Sequence, residues 1–169
     1  RYNASFVYTQ TLLPDRLLND SPGPRDAQGT PAVVQLCGND PEIVVCAAPM
    51  VVDRVDTIDL NLGCPQDAAL EGHYGGYYLF EEKHWPKHCW TSVARTHVSH
   101  SLPVPISVKT RLCQNTPLTP ALSARLVAAG ASWIILYARH VFAWRRRLRV
   151  ADLEQVRALE RHVSTGCRW

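Results

Sequence analysis

The sequence predicts an α/β fold in which a parallel sheet of about five strands is covered by crossover helices. Three observations carry this. Short runs that are apolar on both faces recur along the chain. Most are followed, after a break marked by Gly or Pro, by a stretch whose apolar residues recur at helical spacing. A polar or reactive residue stands at the carboxyl end of one run after another.

The elements follow in order. Ala4–Thr9 is a short β-branched and aromatic run, leading into a loop, Asn19–Thr30, rich in Pro, Gly and Asp. Pro31–Cys37 is a continuous strand signal closed by Gly38-Asn39-Asp40. Asp40 caps a helix with Pro41 at its first position and Glu42 in its first turn, expected to reach Asp53. Asp56–Asn61 is the next strand, ending at Gly63-Cys64-Pro65. A Gly/Tyr-rich loop follows, then a helix from Trp85 to His100, where Pro86 fits only in the first turn. Pro105–Lys109 is a strand, and Thr119-Pro120 opens a helix that ends at Gly130. Trp133–Tyr137 is a buried-type strand; Asp152–Val163 carries Leu153, Val156, Leu159 and Val163 at helical spacing, and a further strand can begin at Thr165.

Composition narrows the class. The 169 residues fit one domain, and 46% hydrophobic with 20% charged residues excludes wholesale disorder. No apolar run approaches the roughly 20 residues of a membrane span, so no membrane partner is expected. The start, Arg1-Tyr2-Asn3-Ala4, has no signal h-region and no methionine, so the chain reads as a piece of a longer one. A net charge of +3 is too mild to announce a nucleic-acid binder, although Arg145, Arg146, Arg147 and Arg149 cluster. That cluster reads equally as a solvated segment or a phosphate contact. The six cysteines form no C-x-x-C pair and read as free thiols of a reducing compartment, cytoplasmic or nuclear. His84 and His88 beside Cys89 lack a spaced partner to complete a metal set, so no metal is expected.

The chemistry gathers at strand ends. Gln35 lies in one strand, Asn61 and Cys64 end the next, then come Lys109 and Arg111, then Tyr137 and Arg139. Such convergence is how a (β/α)8 barrel builds an active site, whereas no G-x-G-x-x-G or phosphate-loop motif supports an open nucleotide-binding sheet. The fold expected is therefore a partial (β/α)8 TIM barrel. Gly63 and Pro65 constrain the turn around Cys64 and would present its thiol at the barrel mouth. Lys109, on an apolar strand, must snorkel, pair with an acid, or point into a polar pocket; the last suits an anionic ring or phosphate. The residues alone point to a barrel enzyme with an anionic ligand.

At these residues the chain resembles a known family. Asp59-Leu60-Asn61-Leu62-Gly63-Cys64-Pro65-Gln66 is similar to the signature of tRNA-dihydrouridine synthases, in particular the eukaryotic type acting on D-loop uridines. VQLCGNDPE at Val34–Glu42, GHYG at Gly72–Gly75, PISVKTRL at Pro105–Leu112, AGASWIILYAR at Ala129–Arg139 and ADLEQV at Ala151–Val156 agree in order and spacing. The resemblance implies a flavin enzyme using FMN to pass hydride from NADPH to a uracil double bond within tRNA. It implies Cys64 as general acid, Asn61 and Arg111 as substrate contacts, and Gln35, Lys109 and Tyr137 as flavin contacts. It also implies a single incomplete barrel domain, without the family's first strand, last strands and C-terminal helical tRNA-binding domain. Tyr137-Ala138-Arg139 stands where the family carries His-Gly-Arg, and Leu70-Glu71 where it usually carries basic residues. Two other readings remain: a non-catalytic RNA-binding remnant, and an FMN barrel oxidoreductase acting on a small molecule. Salt-sensitive tRNA binding without flavin absorbance marks the first, and activity on free uracil the second.

Overall fold

The computed structural model describes residues 33–80, 102–141 and 150–163. The predicted elements at Ala4–Thr9, Asn19–Thr30, Trp85–His100 and Thr165 lie outside these residues, as do His84, His88, Cys89 and the cluster Arg145–Arg149. Four strands, β1 (Val33–Leu36), β2 (Thr57–Asn61), β3 (Ile106–Leu112) and β4 (Trp133–His140), pair in sequence order, and every pairing is parallel. The helices are α1 (Pro41–Ala47), α2 (Asp67–Glu71), α3 (Leu118–Ala128) and α4 (Leu153–Val163). The expected α/β sheet is present, and the described strands do not close into a barrel.

Partners in a parallel ladder point to the same face, so register decides what each face is made of. Val34 pairs with Ile58, Leu36 with Leu60, Ile58 with Ile106, Leu60 with Val108, and Val108 with Ile134. All of these are buried, in one cluster with Val44 and Ala47 of α1 and Leu122 and Leu126 of α3. The opposite face carries Gln35, Asp59, Asn61, Ser107, Lys109, Arg111 and Tyr137 on the residues between. One face is core; the other is chemistry.

Helix ends follow local rules. Asp40 caps α1 as the sequence predicts, its Oδ1 accepting from the Glu42 N–H at 2.9 Å. Asp152 does the same for α4, accepting from Glu154 and Gln155 at 3.1 and 3.2 Å. Gly130, at φ 109°, closes α3: Ala131 N–H donates to Leu126 O and Gly130 N–H to Val127 O, a Schellman arrangement that few side chains would permit.

Four expectations need correction. The helix beginning at Pro41 ends at Ala47, not Asp53, because Pro49 has no N–H to continue the ladder; 3-10 turns at Ala48–Met50 and Val52–Arg54 follow. Thr119 does not cap α3: it lies inside the helix, and its Oγ1 accepts from the Cys113 N–H at 3.0 Å. The strands β3 and β4 run on to Leu112 and His140, past Lys109 and Tyr137, since their polar residues face the open side of the sheet. The Gly/Tyr-rich loop contains α2 and a 3-10 turn at Gly75–Leu79.

The α3 packing can be tested directly. Leu126→Ala removes a fully buried side chain and should lower unfolding free energy by about 2–5 kcal/mol. Urea denaturation with an unchanged m-value checks this; a loss within error would mean that α3 does not cover the sheet.

Candidate active site

The site residues sit on the polar face at the carboxyl ends of the strands. Gln35 is level with Asp59, Asp59 with Ser107, Asn61 with Lys109, and Arg111 with Tyr137. Hydrogen bonds join three strands: Gln35 Nε2 donates to Asp59 Oδ2 at 2.6 Å, Ser107 Oγ to Asp59 Oδ1 at 2.6 Å, and Asn61 Nδ2 to Gln35 Oε1 at 2.8 Å. Asp59 is only 2% exposed, and two donors offset the cost of burying its carboxyl group.

The Cys64 turn is tied down from both sides. The Gly63 N–H donates to Asn61 Oδ1 at 2.9 Å, while Arg111 Nε donates to the Gly63 carbonyl at 2.9 Å. On the far side, Gly76 N–H donates to the Cys64 carbonyl at 2.7 Å. Gly75 has φ 55°, and a Cβ there would stand 2.8 Å from the Cys64 Cβ. A Cβ on Gly76 would stand 2.6 Å from the Cys64 carbonyl oxygen, backbone that cannot swing away. The glycines let one loop rest directly on the turn that carries the thiol.

Tyr137, 42% exposed, lies against two guanidinium groups, Arg111 at 4.7 Å and Arg139 at 5.4 Å from its ring centre. A register shift after Arg111 makes Leu112 pair with His140, so Ala138 and Arg139 form an irregularity that brings Arg139 beside the ring. Arg111 Nη1 and Arg139 Nε are buried without a hydrogen-bond partner. Burial lowers the Arg111 pKa, Arg139 adds to this, and Tyr137 and Cys64 oppose it. The guanidinium keeps its charge, as arginine does throughout proteins.

Three cysteines stand near these strand ends and differ in kind. Burial pushes the Cys37 thiol up to about 12, with Cys64 adding to the shift and Lys109 partly offsetting it. Its Sγ lies 3.7 Å from the Asn61 carbonyl. Burial likewise pushes Cys113 up to about 11. By exposed surface Cys37 and Cys64 are both partly buried, and Cys113 is buried.

The structure therefore brings all six sequence-predicted site residues to one end of the sheet: five on the polar face and Cys64 on the turn after β2. Sequence reasoning left Asp59, Ser107 and Gly76 without a role and carried Arg139 no further than its strand end. The alternation Ile58-Asp59-Leu60 places Asp59 on the polar face and could have marked it. The contact between Gly76 and Cys64 has no signal in linear spacing. Among the described residues no group of His, Cys, Asp or Glu could hold a metal ion. No described helix is long and apolar enough to cross a membrane.

A parallel α/β sheet with strands in sequence order and polar side chains gathered at their carboxyl ends is the arrangement found in (β/α)8 barrels. The chain belongs to the dihydrouridine synthase family, whose model, described as Dihydrouridine synthase (Dus), matches residues 5–167. It is 32% identical over 149 residues to the tRNA-dihydrouridine(16/17) synthase, NAD(P)(+), of Saccharomyces cerevisiae, covering 82% of this chain and 33% of that protein. It is 31% identical over 173 residues to a tRNA-dihydrouridine(16/17) synthase-like protein of Mus musculus, with 97% and 35% covered. The tRNA-dihydrouridine(20/20a) synthase of Xanthomonas axonopodis is 33% identical over 131 residues, with 75% and 37% covered. The chain spans about a third of the length of these relatives.

Two outcomes follow for the thiols. At pH 8 a thiol with pKa 12 is about one part in ten thousand thiolate, so iodoacetamide should alkylate Cys64 well ahead of Cys37 and Cys113. Because burial opposes its thiolate, Cys37 stabilises the fold fully below the ordinary value of 9.0 and loses this as pH rises toward about 12. Peptide mass spectrometry across pH reads the labelling; equal rates at the three cysteines would contradict the burial. Gly76→Ala should displace the Cys64 carbonyl and alter the Cys64 alkylation rate while sparing Cys46, which is exposed elsewhere. An unaltered Cys64 rate would show that the loop does not hold the turn.

Proposed function

We propose that the chain supplies part of the catalytic barrel of a tRNA-dihydrouridine synthase, reducing a uridine in the D-loop with Cys64 as proton donor. The observation that carries this reading is the arrangement around Cys64. A partly buried thiol sits on a braced turn, beside Arg111 and next to the Asn61–Gln35 amide pair. The family membership and the names of the relatives, which specify tRNA-dihydrouridine and in two cases NAD(P), support the reaction class.

The residues present fit a flavin. The buried, unpartnered Arg111 Nη1 and Arg139 Nε are donors in want of acceptors, as a phosphate-bearing or acceptor-rich ring system would offer. Gln35 and Lys109 would hold FMN from the polar face, with the Lys109 ammonium favouring negative charge on the reduced ring. The Tyr137 phenol takes the position of the family's histidine and keeps a hydrogen-bonding tip. When bound, FMN supplies the hydride relay from NADPH to the uracil double bond.

Asn61 would hydrogen-bond the uracil and Arg111 would hold the same base or its phosphate. The base must leave its stack to reach the pocket. As hydride reaches one carbon of the double bond, the Cys64 S–H bond breaks and its proton passes to the adjacent carbon. The thiolate left behind recovers a proton from water.

Added FMN should remain with the chain after desalting and show flavin absorbance; a colourless protein would remove the flavin reading for these residues. Cys64→Ala should retain flavin while dihydrouridine formation on unmodified tRNA falls about 10²–10⁴-fold. Unchanged turnover would take Cys64 out of the mechanism. Lys109→Ala should weaken flavin retention or slow substrate reduction, and wild-type behaviour in both would refute its assignment.

A further inference from the structure

The hydrogen bonds around the two amides all run one way. Gly63 N–H donates to Asn61 Oδ1, Asn61 Nδ2 to Gln35 Oε1, and Gln35 Nε2 to Asp59 Oδ2. Each end is fixed by its chemistry, since a backbone N–H only donates and a carboxylate only accepts. Turning over either amide would face donor to donor on one side and acceptor to acceptor on the other. One order of oxygen and nitrogen satisfies the whole chain. The second oxygen of Asp59 accepts from Ser107 Oγ, so each carboxylate oxygen has a protein donor.

We infer that Asp59 is a positioning residue. Its buried carboxylate fixes the order of oxygen and nitrogen in the Gln35 and Asn61 amides on the polar face and tethers, through them, the first residue of the Cys64 turn. The consequence for catalysis rests on the reading that Gln35 and Asn61 meet cofactor and uracil; the tether itself does not. Hydrogen bonds aligned head to tail polarise one another, and a charge at one end strengthens each member. Asp59 therefore acts on the Gly63 N–H without touching it or any ligand.

The test is ¹⁵N–¹H NMR of the 169-residue chain without flavin. In the wild type, the hydrogen-bonded side-chain amide protons of Gln35 and Asn61 should exchange with water about tenfold or more slowly than those of Gln66 and Gln114; Gln35 is exposed as those two are, so the protection comes from the hydrogen bonds and not from burial. Asp59→Asn keeps the shape and can still accept from Gln35 while donating to Ser107 Oγ. The fold and the exchange protection should persist, but the Gly63 amide proton should move upfield because the charge has gone. In a Gln35→Ala background the same substitution should leave Gly63 unmoved, since the chain is cut. A merely structural role for Asp59 would not produce this dependence on Gln35.

Rapid exchange of both side-chain amides in the wild type would overturn the inference, whether or not the Asn variant folds. So would a Gly63 resonance indifferent to Asp59→Asn, or one that moves equally with and without Gln35. A chain that passes these tests yet retains no flavin upholds the positioning role and removes the functional reading. A chain that binds flavin and fails them loses the positioning role alone.

Discussion

In-register parallel pairing governs both halves of the molecule, because it sorts every strand residue to one of two faces. Ile58 lies between Val34 and Ile106 in the ladder, and Asp59 between Gln35 and Ser107. The first trio is sealed against α1 and α3; the second forms a hydrogen-bonded row. The apolar trio supplies burial, and the polar row needs its neighbours to be polar as well, since an isolated carboxylate there would have no donors. Neither face could be assembled without the alignment that makes the other.

Much of this was legible in the sequence, and the failures have physical causes. Strands such as Thr57–Asn61 announce themselves by their apolar residues; the sequence suggests runs apolar on both faces, whereas the structure gives one face to the core and puts Asp59 and Asn61 on the other. The strand signal of β3 stops three residues short of its end, since Thr110-Arg111 looks like a loop when the polar face is not in view. The first helix was extended past Pro49 because the apolar pattern continues there, although a hydrogen bond is missing. The site divides similarly. Spacing alone led to a barrel enzyme with an anionic ligand, and only the resemblance named the roles of Cys64, Asn61 and Lys109. The bracing of Cys64 by Gly76 spans a turn, a helix and a left-handed glycine, so no local pattern encodes it.

Three thiols near one end of the sheet illustrate how position decides chemistry. Cys37 follows β1 and lies beneath the Asn61 carbonyl; Cys113 follows β3 and meets Thr119 of α3. Cys113 is buried and Cys37 partly so, and in both the surrounding protein favours the protonated thiol. Cys64 follows β2, where Gly63 and Pro65 turn the chain outward and Gly76 holds it there. The same side chain is core packing at Cys113, meets a backbone carbonyl at Cys37, and stands on a braced turn at Cys64.

The alternation along β2 also sets which heritable length changes the fold could survive. An insertion in a crossover between β2 and β3 lengthens a connection at small entropic cost and leaves both faces intact. One residue gained or lost within β2 would turn Asp59 into the helix layer and Ile58 into the pocket, exchanging core for site along the rest of the strand. Two residues would restore the faces but slide Asn61 out of level with Lys109. Relatives that share this site should therefore differ freely in loop length while keeping strand length nearly constant, and a reading-frame-neutral indel inside β2 would mark a chain whose polar row is no longer assembled.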